Sequence, residues 1–104
     1  MKSHELLNRV KSVVRDVAPD AEIILFGSRA RESAVTHSDW DFLILLNRPT
    51  DQQIKRQIKD RLYDLELETD TVLSSIIRTR QEWSSPKYAA LPFKREIEKD
   101  GVPL

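Results

Sequence analysis

Two short runs of apolar residues constrain the fold of this chain more than any other feature of its sequence. The first is Glu22 to Phe26, and the second is Trp40 to Leu46. Both runs are shorter than a typical helix and rich in Ile, Leu and Phe, a pattern that predicts buried strands. Gly27 and Ser28 break the first run, and Pro49 prevents the second from continuing. The chain is therefore expected to build a small sheet around these two strands.

Apolar residues recur at helical spacing before and after the two strands. The first helix has Ser3 as its candidate N-cap, and Pro19 ends it. This pattern predicts an α+β fold, an α/β sandwich in which a small mixed sheet is flanked by helices. In chain order the expected elements are a helix over 4–17, strands over 22–26 and 40–46, a helix from Thr50 or Asp51 to about Leu65, a strand within Leu67 to Thr79, and a last helical piece around Phe93 to Lys99.

The length and the charge balance limit what the chain can do. With 104 residues it is expected to form one domain over residues 1–104, without room for a separate substrate domain. Its 17 Lys and Arg residues match 17 Asp and Glu residues, so the formal net charge is zero. A chain with no net positive field is not expected to bind nucleic acid as its main ligand.

Residue types that the sequence lacks narrow the class of protein further. There is no cysteine, which excludes disulfides, zinc ribbons and thiol nucleophiles, and two histidines cannot form a multi-histidine metal site. The N-terminal residues contain no long apolar segment of the secretory type. The longest apolar run, Phe42 to Leu46, is far shorter than the ~20 residues of a membrane span. The expectation is a cytoplasmic protein that does not enter a membrane.

Two aspartates at the start of the second predicted strand carry the first chemical signal. Asp39 and Asp41 are two residues apart, and side chains two apart on a strand share a face. Two ionised carboxylates at this spacing repel each other unless water or a cation compensates their charge. A hard divalent cation such as Mg²⁺, which binds carboxylate oxygens and substrate phosphates, fits the pair. Taken alone, such a pair is more often a solvated strand end than a metal site.

A second signal lies where the first predicted strand ends. Gly27 allows the backbone to approach a ligand closely, and the hydroxyl of Ser28 can donate to a phosphate oxygen. A helical turn over Arg29 to Arg31 would direct amide N–H groups at an anion. A phosphate held here and a metal held at Asp39 and Asp41 together describe a site for phosphoryl or nucleotidyl transfer.

The spacing that joins the two signals is Gly-Ser, ten residues, Asp, one residue, Asp. With Phe26 before it and Phe42-Leu43-Ile44 after it, this composite resembles the DNA polymerase β-like nucleotidyltransferase superfamily, and its minimal nucleotidyltransferases in particular. Relatives commonly carry a glycine where this chain has Glu32. The resemblance implies the polymerase β-like nucleotidyltransferase fold, ATP or another nucleoside triphosphate as substrate, and one or two Mg²⁺ ions.

The resemblance also implies roles for individual residues. The two aspartates of the motif would hold the metal and take part in catalysis. The Gly-Ser pair would hold the phosphates of the nucleotide. The planar guanidinium groups of Arg29 and Arg31 suit contact with a triphosphate, with ordinary surface arginines of a solvated turn as the alternative, and Ser38 either joins this site or satisfies the loop backbone before Asp39. The implied metal ligands are Asp39 and Asp41, and the implied nucleotide-binding residues are Gly27, Ser28, Arg29 and Ser38.

Active members of the superfamily use a third acidic residue on a later strand, which completes the metal site and acts as, or positions, the catalytic base. The candidates here are Glu66, Glu68 and Asp70, which would share one face of a strand that began early. Because helical periodicity ends near Leu65 and apolar strand content starts at Val72, Asp70 fits best as the third metal ligand and catalytic residue. The alternative is a solvated acidic edge in which Asp70 is a cap.

Three functions are compatible with these residues. The first is Mg²⁺-dependent transfer of a nucleoside monophosphate, AMP from ATP, to a hydroxyl acceptor that a partner protein supplies. In the second, the chain is a catalytically weak or inactive antitoxin that neutralises its partner by binding alone. The resemblance implies that this partner is a small helical HEPN-type protein, an RNA-cleaving toxin. Modification of a small molecule such as an aminoglycoside ranks lowest, because relatives of that kind are generally larger. Assembly of the chain into a homo-oligomer is left open.

Overall fold

A four-stranded sheet with helices on both faces forms the fold. The computed structural model describes residues 3–31, 39–49 and 52–104, and no helix in these ranges is long and apolar enough to cross a membrane. The predicted α+β sandwich is confirmed. In chain order the elements are α1 (Ser3–Val17), β1 (Glu22–Phe26), β2 (Trp40–Leu46), α2 (Gln52–Thr69), β3 (Leu73–Thr79), α3 (Arg80–Trp83), α4 (Pro86–Ala89), α5 (Pro92–Asp100) and β4 (Val102–Pro103).

The strand order is β3-β2-β1-β4, so the two apolar runs of the sequence lie at the centre of the sheet. β1 pairs antiparallel with β2 and with β4, whereas β2 and β3 are parallel, which makes the sheet mixed as predicted. A parallel pair needs a crossover connection, and α2 supplies it. Because helices cover both faces of β2, every residue from Phe42 to Leu46 is buried.

Successive side chains of β2 point to opposite faces of the sheet and so belong to two separate cores. Helices α1 and α2 cover one face of the sheet, where Ile58 of α2 packs in the same core as Phe42. The other face carries a smaller core, in which Leu43 packs with Trp83 of α3. Successive residues of a strand point to opposite faces, so Asp41 faces the same side as Leu43.

Helix α2 is longer than the sequence pattern predicts, since it ends at Thr69 and not near Leu65. The Thr69 hydroxyl donates to the Leu65 carbonyl at 2.7 Å, so polar residues that the apolar pattern did not count as helical form the last turn. β3 accordingly occupies only the later part of the segment in which it was expected.

The short strand β4 is not predicted by the sequence, because it has two residues and one of them is Pro103. It pairs with Ile24 and Leu25 of β1 and so ties the end of the chain to the sheet. Gly101 makes this approach possible: a Cβ at this position would lie 2.7 Å from Cγ2 of Ile24.

Candidate active site

Three neighbouring strands place Phe26, Asp41 and Ser74 in one row across the sheet. Asp41 pairs with Phe26 of β1 and with Ser74 of β3. Directly paired residues present their side chains on the same face. Asp41 therefore lies at the polar end of an otherwise apolar face. The next row along the same face consists of Ile24, Leu43 and Ile76.

Gly27 brings the first half of the motif into contact with Asp41. Its φ is 77°, in the left-handed region that favours glycine. A Cβ at this position would lie 2.5 Å from Oδ2 of Asp41, closer than any side chain tolerates. Conformation and space therefore both require glycine here, and the structure joins two elements of the motif that are far apart in sequence.

The electrostatic environment of Asp41 is unfavourable to its negative charge. Burial raises the pKa of this carboxyl, the charge of Asp39 raises the pKa further, and Arg31 acts in the opposite direction. Asp39 itself is exposed. Two neighbouring carboxylates, one of them partly desolvated, are the oxygen donors that a hard divalent cation prefers, so the residues present fit Mg²⁺.

The turn after Gly27 separates two arginines. The amides of Ala30 and Arg31 donate to the Gly27 carbonyl at 3.1 and 3.2 Å, which closes a single turn. The guanidinium of Arg29 lies 4.3 Å from the ring centre of Trp40, which belongs to the core on the face opposite Asp41. Arg31, in contrast, acts on the pKa of Asp41. The assignment of Arg29 to the nucleotide stays a prediction, and Arg31 is the arginine near the carboxylates.

A cavity of about 210 Å³ opens beside Gly27, between the end of β1 and helix α5. The sequence did not predict a contribution from α5 to this region, because the amphipathic pattern of that helix shows which face is buried but not which strand it meets. The cavity offers room for part of a substrate next to Gly27 and Arg31. Its lining residues are Phe26, Gly27, Arg31, Phe93, Glu96 and Ile97.

Two of the three candidates for a third carboxylate are engaged elsewhere. Oε2 of Glu66 accepts a hydrogen bond of 2.9 Å from the Leu73 amide, which holds the start of β3 against α2. Glu68 forms an ion pair with Arg9 of α1. Both carboxylates thus take part in the packing of α2 against its neighbours.

Asp70, the favoured candidate, closes the C-terminus of α2. Its φ is 53°, and the Thr71 amide donates to the Glu66 carbonyl at 3.3 Å, the pattern of a Schellman cap. Aspartate visits the left-handed region more readily than most residues because its short side chain can hydrogen-bond locally. The capping role considered for Asp70 therefore has a structural basis, and its catalytic role stays a prediction.

The residue of β3 that lies next to Asp41 is Ser74, which is not acidic. Within residues 3–31, 39–49 and 52–104, no three acidic or histidine side chains come together as a metal site. The sequence pattern did not single out Ser74, because apolar content locates a strand but does not define its register with a neighbour. Ser38 and Glu32, which the motif also involves, lie outside the described residues.

Replacing Ser74 with aspartate should strengthen the binding of divalent cations. The new carboxylate would stand beside Asp41 on a strand about 4.8 Å away and add a third oxygen ligand. We expect the dissociation constant for Mg²⁺, measured by titration calorimetry, to fall by about tenfold. Ser75→Asp adds the same charge on the other face of β3 and serves as the matched control. An equal gain in both variants would contradict the register argument.

The chain also has clear similarities to known proteins. The nucleotidyltransferase domain family matches residues 7–104. No curated protein is a significant match. A chain of a toxin-antitoxin crystal structure with AMP-PNP superposes with a TM-score of 0.63 at 18% identity, over 92% of this chain and 69% of that one.

Two further solved structures share the fold. A mutant of the MntA-HpeT toxin-antitoxin complex gives a TM-score of 0.62 at 20% identity, over 94% of this chain and 70% of that one. A candidate nucleotidyltransferase from Sulfolobus solfataricus gives 0.52 at 24%, over 96% and 79%. At such identities the likeness shows the fold, whereas the family match spans almost the whole sequence. The chain therefore belongs to the nucleotidyltransferase domain family.

Proposed function

We propose that this nucleotidyltransferase domain transfers AMP from ATP, with Mg²⁺, to a hydroxyl group on a partner protein in the cytoplasm. The observation that carries the proposal is the contact between Gly27 and Asp41. It places the backbone that would meet the phosphates directly against a carboxylate that would hold the metal. Asp39 and Asp41 are the proposed metal ligands, and Gly27 and Ser28 are the proposed phosphate-binding residues.

The reaction exchanges one bond at phosphorus for another. The acceptor hydroxyl oxygen forms a bond to the α-phosphorus of ATP, the bond to the bridging oxygen breaks, and pyrophosphate leaves. Mg²⁺ bound at the two aspartates would neutralise charge on the phosphates. Arg31, beside Asp41, adds a positive charge on the same side. The hydroxyl proton passes to a base, and Asp70 is our candidate because Glu66 and Glu68 are engaged.

The protein acceptor is proposed on two grounds. The described fold contains one sheet and its covering helices, and the cavity beside Gly27 is small and partly bounded by charged residues. Structural neighbours include toxin-antitoxin complexes, one of them with the ATP analogue AMP-PNP. We therefore infer that the acceptor is a small helical protein of the HEPN type.

Asp70 provides a specific test of this function. The chain is co-expressed with the protein encoded by the neighbouring gene, and the intact mass of that protein is measured. We expect wild type to add adenylyl groups and Asp70→Gly to add them at least about tenfold more slowly, as is usual when a general base is lost. Asp70→Gly suits the left-handed backbone, so the stability of the domain should not fall.

Asp70→Asn, which keeps the side-chain size and removes the charge, is the matched control and should be as slow as Asp70→Gly. If both variants transfer AMP at the rate of wild type, Asp70 acts only as a cap and our assignment of the base is wrong. If wild type leaves the partner unmodified in the presence of ATP and Mg²⁺, the proposal that the chain transfers AMP to this partner is wrong.

A second candidate function is neutralisation of the partner by binding alone. It is favoured by the position beside Asp41 on β3, which is Ser74, and by the described residues, which form no cluster of three acidic or histidine side chains that could hold a metal. In that case the double variant Asp39→Asn/Asp41→Asn would still neutralise the partner during co-expression. Loss of neutralisation in this variant would favour the enzymatic function.

A further inference from the structure

Positive charge is concentrated on the side of α2 that faces the edge strand β3. A groove of about 380 Å³ runs between these two elements. Among the described residues that line it, four are cationic and none is acidic, although the charges of the whole chain cancel. The four cations are Lys55, Arg56, Lys59 and Arg78.

Side chains of the groove already occupy carbonyl groups of the edge strand. The Lys59 ammonium donates to the carbonyl and to the hydroxyl of Ser75, the latter at 2.7 Å. Arg78 donates from Nη1 to the Ile77 carbonyl at 2.7 Å. A strand with occupied carbonyls is a poor template for another strand, so a partner is not expected to extend the sheet. The groove instead presents positively charged side chains to a partner.

The cations of the groove are crowded. Burial lowers the pKa of Lys59, the neighbouring Arg78 lowers it further, and Glu66 acts in the opposite direction. Glu66 and Glu82 are the acids whose charges reach Lys59 and Lys55. Each of these carboxylates also accepts a backbone amide, from Leu73 and Thr79 respectively. An incoming anion would therefore relieve repulsion among the cations.

The same side of α2 becomes apolar towards its C-terminus. Lys55, Lys59, Tyr63 and Leu67 follow one another at intervals of four residues, which places them along one stripe of the helix. Tyr63 and Leu67 are 58% and 67% exposed, unusually high for large apolar side chains. Val72, just before β3, is 52% exposed.

This stripe leads to the candidate active site. The Val72 carbonyl accepts from the Trp40 amide at 2.9 Å, and Trp40 lies between the two motif aspartates. The groove begins at Ser75, one residue after the neighbour of Asp41. A protein segment lying along the stripe would thus extend from the cations, over the apolar residues, to the end of the sheet at Trp40, and it would have to pass around that end to reach Asp41 on the opposite face.

We propose that the groove cations and the apolar residues Tyr63, Leu67 and Val72 form the docking face for the acceptor protein. Its occupant is a segment of the partner that carries acidic residues followed by an apolar residue and a hydroxyl group. This inference rests on the proposed function, since it identifies how the acceptor is recognised. No aromatic residue is among the described residues that line the groove, and Tyr63 is the one aromatic side chain of the proposed face, so these residues offer no row of stacking side chains of the kind found in single-stranded nucleic-acid sites.

The test uses a soluble copolymer of glutamate and tyrosine, which offers acidic, aromatic and hydroxyl groups together. Fluorescence anisotropy measures its binding to the full chain without nucleotide. We expect Lys55→Glu/Arg56→Glu to weaken binding by about tenfold and Leu67→Gln by about threefold, with the affinity of wild type falling as salt is raised. The variants replace side chains at the surface of α2, where substitutions have little effect on stability.

Lys87→Glu/Arg95→Glu changes the net charge equally on α4 and α5, and it should bind the copolymer like wild type. A lysine–tyrosine copolymer and an oligoadenylate RNA are the control ligands. Three results would contradict the proposed docking face. They are no binding of the acidic copolymer by wild type, unchanged binding by Lys55→Glu/Arg56→Glu, and tighter binding of the RNA than of the acidic copolymer.

The measurement separates this inference from the proposed function. Binding of the copolymer requires no nucleotide chemistry, so its failure overturns the docking face and leaves AMP transfer to be judged by intact mass. If the copolymer binds as expected while the co-expressed partner remains unmodified, the docking face stands and the transfer reaction is wrong.

Discussion

Replacing Gly27 with alanine should abolish the binding of ATP and Mg²⁺ and destabilise the domain. The residue has a φ of 77°, where an alanine costs about 1–2 kcal/mol relative to ordinary backbone. The new Cβ would also lie 2.5 Å from Oδ2 of Asp41, so the carboxylate or the turn must move. Urea unfolding should report the loss of stability, and calorimetric titration the loss of nucleotide binding.

The chain offers a matched control because it has only two glycines. Gly101→Ala also introduces a clash, with Ile24, but Gly101 lies at the end of α5 and has an ordinary backbone conformation with φ of −65°. We expect Gly101→Ala to lose stability and to keep its affinity for ATP. If both variants lose nucleotide binding to the same extent, the effect comes from general destabilisation and not from the contact with Asp41.

Replacing Asp41 with asparagine should have opposite effects on stability and on ligand binding. The pKa of Asp41 is raised by burial and by Asp39, so the folded state holds its proton more tightly than the unfolded state does. At neutral pH the ionised carboxylate therefore destabilises the metal-free fold, and this penalty disappears as the pH falls through the raised pKa. We expect Asp41→Asn to unfold about 4 °C higher than wild type at pH 7 in EDTA.

The pH dependence provides the control for this prediction. The difference in melting temperature between wild type and Asp41→Asn should shrink when the pH is lowered through the raised pKa, because protonated Asp41 is as neutral as asparagine. Added Mg²⁺ should raise the melting temperature of wild type and leave that of Asp41→Asn unchanged. A variant that is less stable than wild type at neutral pH would contradict our account of the electrostatics of Asp41.

Strands that are encoded by apolar runs with Gly or Pro at their ends can be predicted from the sequence. The runs that became β1 and β2 are apolar and bounded by Gly27 and Pro49, so both their type and their extent could be derived. The motif spacing predicts that Gly27 and Asp41 belong to one site; the structure brings the two residues into contact, and their roles in such a site stay a prediction. The two strands depend on nearby residues, so the sequence alone is sufficient to derive them, whereas the common site of Gly27 and Asp41 is expected only from the resemblance of the motif spacing.

Features that depend on pairing between distant segments could not be derived in the same way. Ser74 reaches Asp41 through the parallel register of β2 and β3, and neither segment encodes that register by itself. The apolar pattern predicts too early an end for α2, because it does not reveal the cap that Thr69 and Asp70 form. Arg29 and Arg31 are equivalent in the sequence, and only the turn places them on different faces.

The most direct test of the account is calorimetric titration of ATP into the full chain at neutral pH, with Mg²⁺ and with EDTA. Wild type should bind ATP only with Mg²⁺, and Asp39→Asn/Asp41→Asn should not bind it under either condition. Equal binding by wild type with and without Mg²⁺, undiminished binding by the double variant, or no binding by wild type at millimolar ATP would contradict a metal-dependent nucleotide site at Gly27, Asp39 and Asp41.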